Sequence, residues 1–420
     1  MAKLFYRLIE IQFFVLWLLA VVIPKSQFKV IFVSEIAVFL LLTVYNILKI
    51  KDNMYVTKKG QILWWLFAFF FVLAGVMLYL SYKDLASYWN ILFLYFEQDY
   101  IYRHFMVVAE LFLSIGLGYA MMKTGTVFKV RNRILVILTV LIGLVIFYNQ
   151  GYIIFLGGLF VAAVSLLAVR TRHRWLYLLI PLVMISHSAY VLASVVMLAL
   201  IFLKRPFKSF FATNPTGKIL VLILFFVAAV VVFNEELYVK IRSDANSYWR
   251  LQVWTNELES LAKTCYTGVG FGTAYVTGDI NLIVNNANMY IDDEGKIYER
   301  LFVVANHNSV LNMFYRLGLL GGLLFVSWNI LICSICLTSY RKKIFGRYNE
   351  YCWWAFTNYM YNLVIIALNP GMEMMQFAIN YTFSLGLMFA VVYMSNRVLQ
   401  QQNKQRRLEQ IVKARALKGY

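Results

Sequence analysis

Residues 305–322 read ANHNSVLNMFYRLGLLGG. Asn306, His307 and Asn308 stand together at the start of a long apolar run, and Arg316 follows within it. An asparagine at such a point can cap a helix by accepting a backbone N–H. A helix start also carries free N–H groups and partial positive charge, which favour an anion. Histidine titrates near neutrality, so His307 is suited to moving a proton. Arg316, about two helical turns further on, adds a cation beneath the same mouth. An isolated histidine at a membrane interface is more often structural. The capped start, the arginine and the long loop that feeds them favour function here.

That loop holds further candidates. In SYWRLQVWTNELESLAK (247–263), Arg250, Trp254, Leu258 and Leu261 recur at helical spacing, which predicts an amphipathic helix with all four on one face. Arg250 on an apolar stripe has two readings of equal weight. It reaches for lipid phosphate from a surface helix, or it faces a cavity and pairs two oxygens of a phosphorylated ligand with its planar fork. Next, TGVGFGTAYVTG brings Gly268, Gly270 and Gly272 close together. Glycines so dense permit sharp turns and close backbone approach. No strand–helix unit surrounds them, so they do not form a dinucleotide fingerprint, and a tight turn is the plain reading. Asp292, Asp293 and Glu294 read as a solvated charge run rather than a cation site.

Two other polar steps interrupt apolar sequence. MISHSAYVLAS places Ser186, His187 and Ser188 in a hairpin that needs no function as a turn, yet puts His187 on the same face as His307. LNPGMEMMQ places Glu373 in a tight turn shaped by Pro370 and Gly371. Arg103 and Arg300 are further arginines on that face.

The elements that position these groups must be membrane helices. The chain has 420 residues, of which 62% are hydrophobic and 14% charged, and its mean hydropathy is +0.69. A soluble domain is nearer half apolar. Twelve spans are expected, at 8–24, 28–48, 62–82, 104–122, 134–149, 152–169, 175–188, 189–203, 218–234, 309–338, 352–369 and 374–394. The first run lacks a small-residue cleavage site and reads as a retained span. Residues 88–96 are too short to cross and read as an interfacial piece.

The net charge of +19 tests this count. With the N-terminus inside, every second loop is basic, and the inside segments hold most of the 39 Lys and Arg. This is the positive-inside pattern, so the charge reports topology and attraction to anionic lipid, not nucleic acid. Both termini are expected in the cytoplasm, with 396–420 a basic tail. The segment 234–308 is the one large outer loop within a single membrane domain and carries half of the 20 acidic residues. Of the four cysteines, three lie in or beside apolar runs. The Cys333–Cys336 pair, although spaced as CxxC, reads as two small buried hydrophobes.

The order of these motifs resembles the O-antigen ligase/polymerase superfamily of bacterial membrane glycosyltransferases. The resemblance rests on Arg250 followed by Trp254, then GVGFG (268–272), then His307-Asn308, nine residues, and Gly318-x-x-Gly321. Its specific part covers about residues 186–322; topology and the final NPGMEMMQFAINYTFSLGLMFA extend a looser likeness over the rest. It implies an all-α, GT-C-like membrane fold in the bacterial inner membrane, working at the outer face without metal or cofactor. The implied donor is a glycan on undecaprenyl diphosphate. The implied acceptor is another lipid-linked repeat unit for a polymerase, or lipid A–core for a ligase, and a chain-length regulator is an implied protein partner. Carried over, Arg250 and His307 are the catalytic pair. Arg316, His187, Asn308, Arg300, Trp254 and Gly270 form the substrate-binding set. The chain departs from the pattern at His187, where many relatives have arginine, and Arg316 or Arg300 is the candidate to replace that charge. It also has Tyr266-Thr267 where relatives often have a proline.

The residues themselves agree with this chemistry. Arginines beside a helix start would stabilise charge developing on a diphosphate leaving group, and His307 would orient or deprotonate an acceptor hydroxyl. Two other classes compete. A transporter of the same lipid-linked glycan predicts related halves with broken helices at matching positions, and no such symmetry is visible. A membrane scaffold has no need of Arg250 and His307 together.

Overall fold

A computed structural model of the chain describes residues 48, 57–80, 115–119, 121–123, 125, 129–149, 153–211, 213–232, 254, 255, 257–270, 289–291, 297–299, 308–368 and 375–417. The expected spans 8–24 and most of 28–48, the piece 88–96, and Arg103, Arg250, Arg300, His307 and Glu373 lie outside these residues.

The described residues are largely helical. In chain order the helices are α1 (Lys58–Leu80), α2 (Asn132–Tyr148), α3 (Ile153–Thr171), α4 (Leu179–Val183), α5 (Ser188–Phe202), α6 (Lys204–Phe210) and α7 (Pro215–Val232). A short helix over 257–263, here α8, follows in the loop. Then come α9 (Ser309–Arg341), α10 (Asn349–Leu368) and α11 (Met375–Leu417). The expectation of an all-α chain needs one amendment. Met289–Ile291 and Ile297–Glu299 pair as a small antiparallel ribbon, with Tyr290 opposite Tyr298.

Among the described residues, three helices are long and apolar enough to cross a membrane: Lys58–Met77, Ser309–Arg341 and Asn380–Val412. Shorter apolar helices cover Asn132–Tyr148, Leu156–Thr171, Arg174–Val183 and Ser188–Phe202. Helix α2 shows why lipid is the fitting solvent: Ile137, Val140, Leu141, Leu144 and Phe147 are all exposed on it. A stripe of that width would be unfavourable in water.

Three expected elements come out differently. The run 175–188 is not one helix: it forms a 3₁₀ turn at Arg174–Leu178 and the five-residue α4. Pro181 has no N–H to donate to the Tyr177 carbonyl and its ring crowds that carbonyl, so it stands in the first turn of α4, where no donor is required, and 174–178 does not continue α4 as regular α-helix. The run 309–338 is broken at Gly318, whose φ of 71° and ψ of −175° are not helical. It therefore consists of a nine-residue piece, 309–317, and a membrane helix from Leu319 to Arg341. Finally, the tail expected after Ser395 continues α11 as helix to Leu417. That helix has 43 residues and is about 65 Å long, far beyond a ~30 Å hydrocarbon layer.

The core lies between α1, α9, α10 and α11. Trp328 of α9 is 1% exposed and stacks on Phe67 of α1 at 4.7 Å and on Phe70 at 5.4 Å. Phe389 of α11 meets Phe67 edge-on at 5.3 Å. Apolar packing is supplemented by hydrogen bonds between helices. Ser165 Oγ accepts from Trp354 Nε1 at 2.8 Å and from Asn358 Nδ2 at 3.0 Å, joining α3 to α10. Asn329 Oδ1 accepts from the hydroxyls of Tyr359 and Tyr381, joining α9, α10 and α11. In lipid such bonds contribute only about 0.6 kcal/mol each, because in the unfolded chain within the membrane these polar groups find partners too. Cys333 and Cys336 are buried and unbridged within this core, as expected.

The basic segments converge on one end of the bundle. Arg170 donates to the Val130 carbonyl, which brings the ends of α2 and α3 together. Lys204 pairs with Glu350 at the start of α10. Thr57 Oγ1 bonds Asn396 Oδ1 at 3.0 Å, and the hydroxyls of Ser339 and Ser395 are 2.8 Å apart. The start of α1 and the end of α9 thus meet α11 where its extension begins, while the end of α3 meets the start of α2 and the turn after α5 meets the start of α10.

Candidate functional site

The loop and the start of α9 form one hydrogen-bonded unit. Helix α8 stops at a Schellman-type cap: Tyr266 N–H donates to Leu261 O at 2.9 Å and Cys265 N–H to Ala262 O at 3.0 Å. This cap requires a left-handed residue just past the helix, usually glycine. Here Cys265 fills the place with φ 52°, and Tyr266 follows with φ 63°. The chain then runs along the break in α9.

Breaking a helix frees carbonyls on one side and N–H groups on the other, and at membrane depth they need protein partners. The glycine-rich segment supplies them. Val269 N–H donates to Tyr315 O and Gly270 N–H to Arg316 O, both at 3.0 Å, while Leu319 N–H donates to Tyr266 O at 2.9 Å. The two backbones come so close that side chains are excluded. A Cβ on Gly318 would stand 2.5 Å from Tyr266 O, and one on Gly268 would run into the Gly318 backbone. Both residues also have positive φ, 71° and 86°. Segment 264–270 is thus more than the plain tight turn expected: it is the partner of a broken membrane helix. The nine residues between Asn308 and Gly318 are the piece before the break. Gly321 and Gly322 leave room for Leu317 and Phe314 to lie over the helix that follows.

Arg316 is part of this joint. Its side chain is 0% exposed, Nη1 donates to Gly270 O at 3.0 Å, and the guanidinium lies 5.0 Å from the centre of the Tyr315 ring. The expected cation beneath a helix mouth is therefore a buried group on the carbonyl of the glycine loop. Asn308 caps α9 as expected, its Oδ1 accepting the Leu311 N–H at 3.0 Å. Ser309 and Asn312, in the first turns behind it, are both 0% exposed.

Helix α8 turns differently from its sequence reading. Leu261 is buried at 4% but Leu258 is 52% exposed, and Glu257 and Ser260 are buried beside Leu261. The inward face runs through Trp254, Glu257 and Leu261 rather than through Leu258. Glu257, 1% exposed, was missed because a carboxylate in an acidic loop gives no sign of burial. His187 packs against Tyr190. It precedes α5 in extended conformation, and its ring meets Tyr190 edge-on at 5.0 Å. Tyr190 in turn faces Tyr361 of α10 at 6.4 Å.

A second polar place was also missed. A cavity of about 100 Å³ between α3, α10 and α11 is lined by Asn358, Asn362, Asn380 and Ser384 beside Gly158 and Phe383. Its signal was present in the sequence: amides four residues apart in α10 share a helix face inside an otherwise apolar run. Among the described residues no group of His, Cys, Asp or Glu has the geometry of a metal site.

Compared with models of known protein families the chain matches none, and no curated protein matches it.

Proposed function

We propose that the chain is an integral-membrane glycosyltransferase that moves a glycan from undecaprenyl diphosphate to an acceptor hydroxyl at the outer face of the bacterial inner membrane. On this reading it has about twelve spans in a GT-C-like arrangement and acts as a surface-polysaccharide polymerase. The observation that carries the reading is the joint between segment 264–270 and the break at Gly318. It ties the loop that bears Arg250 to the helix whose cap directly follows His307, which are the two residues the chemistry calls for. The Asn308 cap adds support, because it fixes the backbone next to His307.

The reaction is a displacement at the anomeric carbon. The acceptor oxygen forms the new bond, the bond from that carbon to the diphosphate oxygen breaks, and the diphosphate leaves with the electron pair. His307 takes the acceptor proton, and Arg250 stabilises charge on the departing diphosphate. The test is complementation. Cells lacking the gene receive His307→Ala or Arg250→Ala at wild-type membrane levels, and surface polysaccharide is run on a gel. Loss of long chains with single-repeat caps on the core supports a polymerase; bare core with lipid-linked polymer supports a ligase. Normal banding with both variants sinks the enzyme reading.

A further inference from the structure

A second, larger cavity than that between α3, α10 and α11 lies away from this joint. It lies at the opposite, basic end of the bundle, has a volume of about 370 Å³, and is lined by Arg172, Arg174, Lys204, Glu350, Tyr177 and Trp353 among others. Its walls come from the ends of α3 and α5, the start of α10 and the turn between α3 and α4.

The charges divide into two kinds. Lys204 is built in: its side chain is 13% exposed, it pairs with Glu350, and it lies 5.1 Å from the Tyr340 ring and 5.6 Å from the Trp353 ring. Arg172 and Arg174 are exposed, and neither guanidinium has an ion pair or hydrogen bond among the described residues. Arg172 sits at φ 60°, a conformation L-residues rarely adopt. That turn reverses the chain sharply and sets both arginines, two residues apart, on one rim. The cavity carries three cations against one carboxylate.

The surroundings are those of a bilayer interface. Trp175 is 59% exposed next to Arg174, the kind of aromatic that settles at headgroup level. Phe202 and Leu203, 51% and 55% exposed, adjoin Lys204. The rim is thus cationic above and apolar alongside, as an amphiphile with a phosphate headgroup requires. Guanidinium forks match phosphate oxygens in pairs, and basic pockets between membrane helices hold anionic headgroups.

We infer that this cavity binds the phosphate of an anionic lipid headgroup, with Arg172 and Arg174 as its clamp and the Lys204–Glu350 pair as its floor. The site is separate from the proposed transfer chemistry and does not depend on it.

The test uses the full chain in nanodiscs of equimolar phosphatidylcholine and phosphatidylglycerol, released into native mass spectrometry. Wild type is expected to retain phosphatidylglycerol in preference to phosphatidylcholine. The double variant Arg172→Gln/Arg174→Gln is expected to hold it about 30-fold more weakly. Because both arginines are exposed, the variant's thermal midpoint in phosphatidylcholine alone should match wild type, which separates lost binding from lost fold. Inorganic phosphate is added in a second arm. Retention of phosphatidylglycerol in its presence supports the lipid as the source, whereas full displacement overturns the lipid and leaves a free-phosphate site. Equal retention by wild type and double variant, or no preference over phosphatidylcholine, overturns the proposal.

Discussion

Gly270 and Arg316 hold each other by two reciprocal hydrogen bonds. The Gly270 N–H donates to the Arg316 carbonyl, and Arg316 Nη1 donates to the Gly270 carbonyl, each at 3.0 Å. Backbone and side chain of one residue thus grip the backbone of the other, across 46 positions of sequence. The loop that carries Gly270 is thereby fastened to the broken helix.

Replacing Arg316 with Met should lower stability by about 2–4 kcal/mol, because the Gly270 carbonyl stays buried without that donor. Thermal unfolding in detergent reads this. Arg316→Lys keeps the charge but loses the planar fork, and should fall between Met and wild type. If Lys at this position leaves the thermal midpoint unchanged and abolishes transfer, Arg316 touches substrate instead of holding the loop.

The two glycines at the crossing should tolerate nothing larger. Gly318→Ala meets Tyr266 O and also places alanine at φ 71° and ψ −175°, a region essentially confined to glycine that alone costs about 1–3 kcal/mol. Gly268→Ala is expected to be equally harmful. The control is Gly75→Ala in α1, which has nothing within 4 Å of the added methyl and should be neutral or stabilising by about 0.5–1 kcal/mol. Equal midpoints for all three variants would refute the close crossing.

Cys265→Gly should stabilise the protein by about 1 kcal/mol, since glycine relieves the φ of 52° at the end of α8. The midpoint should rise while transfer is unchanged. A lower midpoint would mean that the cysteine side chain contributes packing that outweighs its backbone strain.

Asn308 has an assigned backbone role that can be separated from chemistry. Asn308→Ala should cost about 1 kcal/mol through loss of the cap, and Asn308→Ser should retain most of it. If Asn308→Ser keeps the midpoint and loses transfer, Asn308 contacts substrate as well as capping α9.

Much of this organisation is legible in the residues. The Asn308 cap follows from its place before an apolar run, and the inert Cys333–Cys336 pair from its apolar neighbours. Bounds close to those of α1, α3, α5, α7 and α10 follow from hydropathy. The proline within 175–188 was also legible, but the apolar length of that run masked its effect. The face of α8 was misread at Leu258, because spacing of apolar residues does not reveal a carboxylate such as Glu257 that turns inward.

The sequence by itself determined that its helices suit lipid and that basic loops alternate along the chain. An apolar run must avoid water, and the alternating basic loops need no knowledge of packing to be seen; their segments do gather at one end of the fold. Only the tertiary structure decided what Gly268, Gly270, Arg316 and Gly318 do together. An apolar run reads the same whether its helix is straight or broken. The break at Gly318 is tolerable only because a distant loop satisfies its backbone, and hydrogen-bond partners so far apart in the chain leave no local periodicity to read.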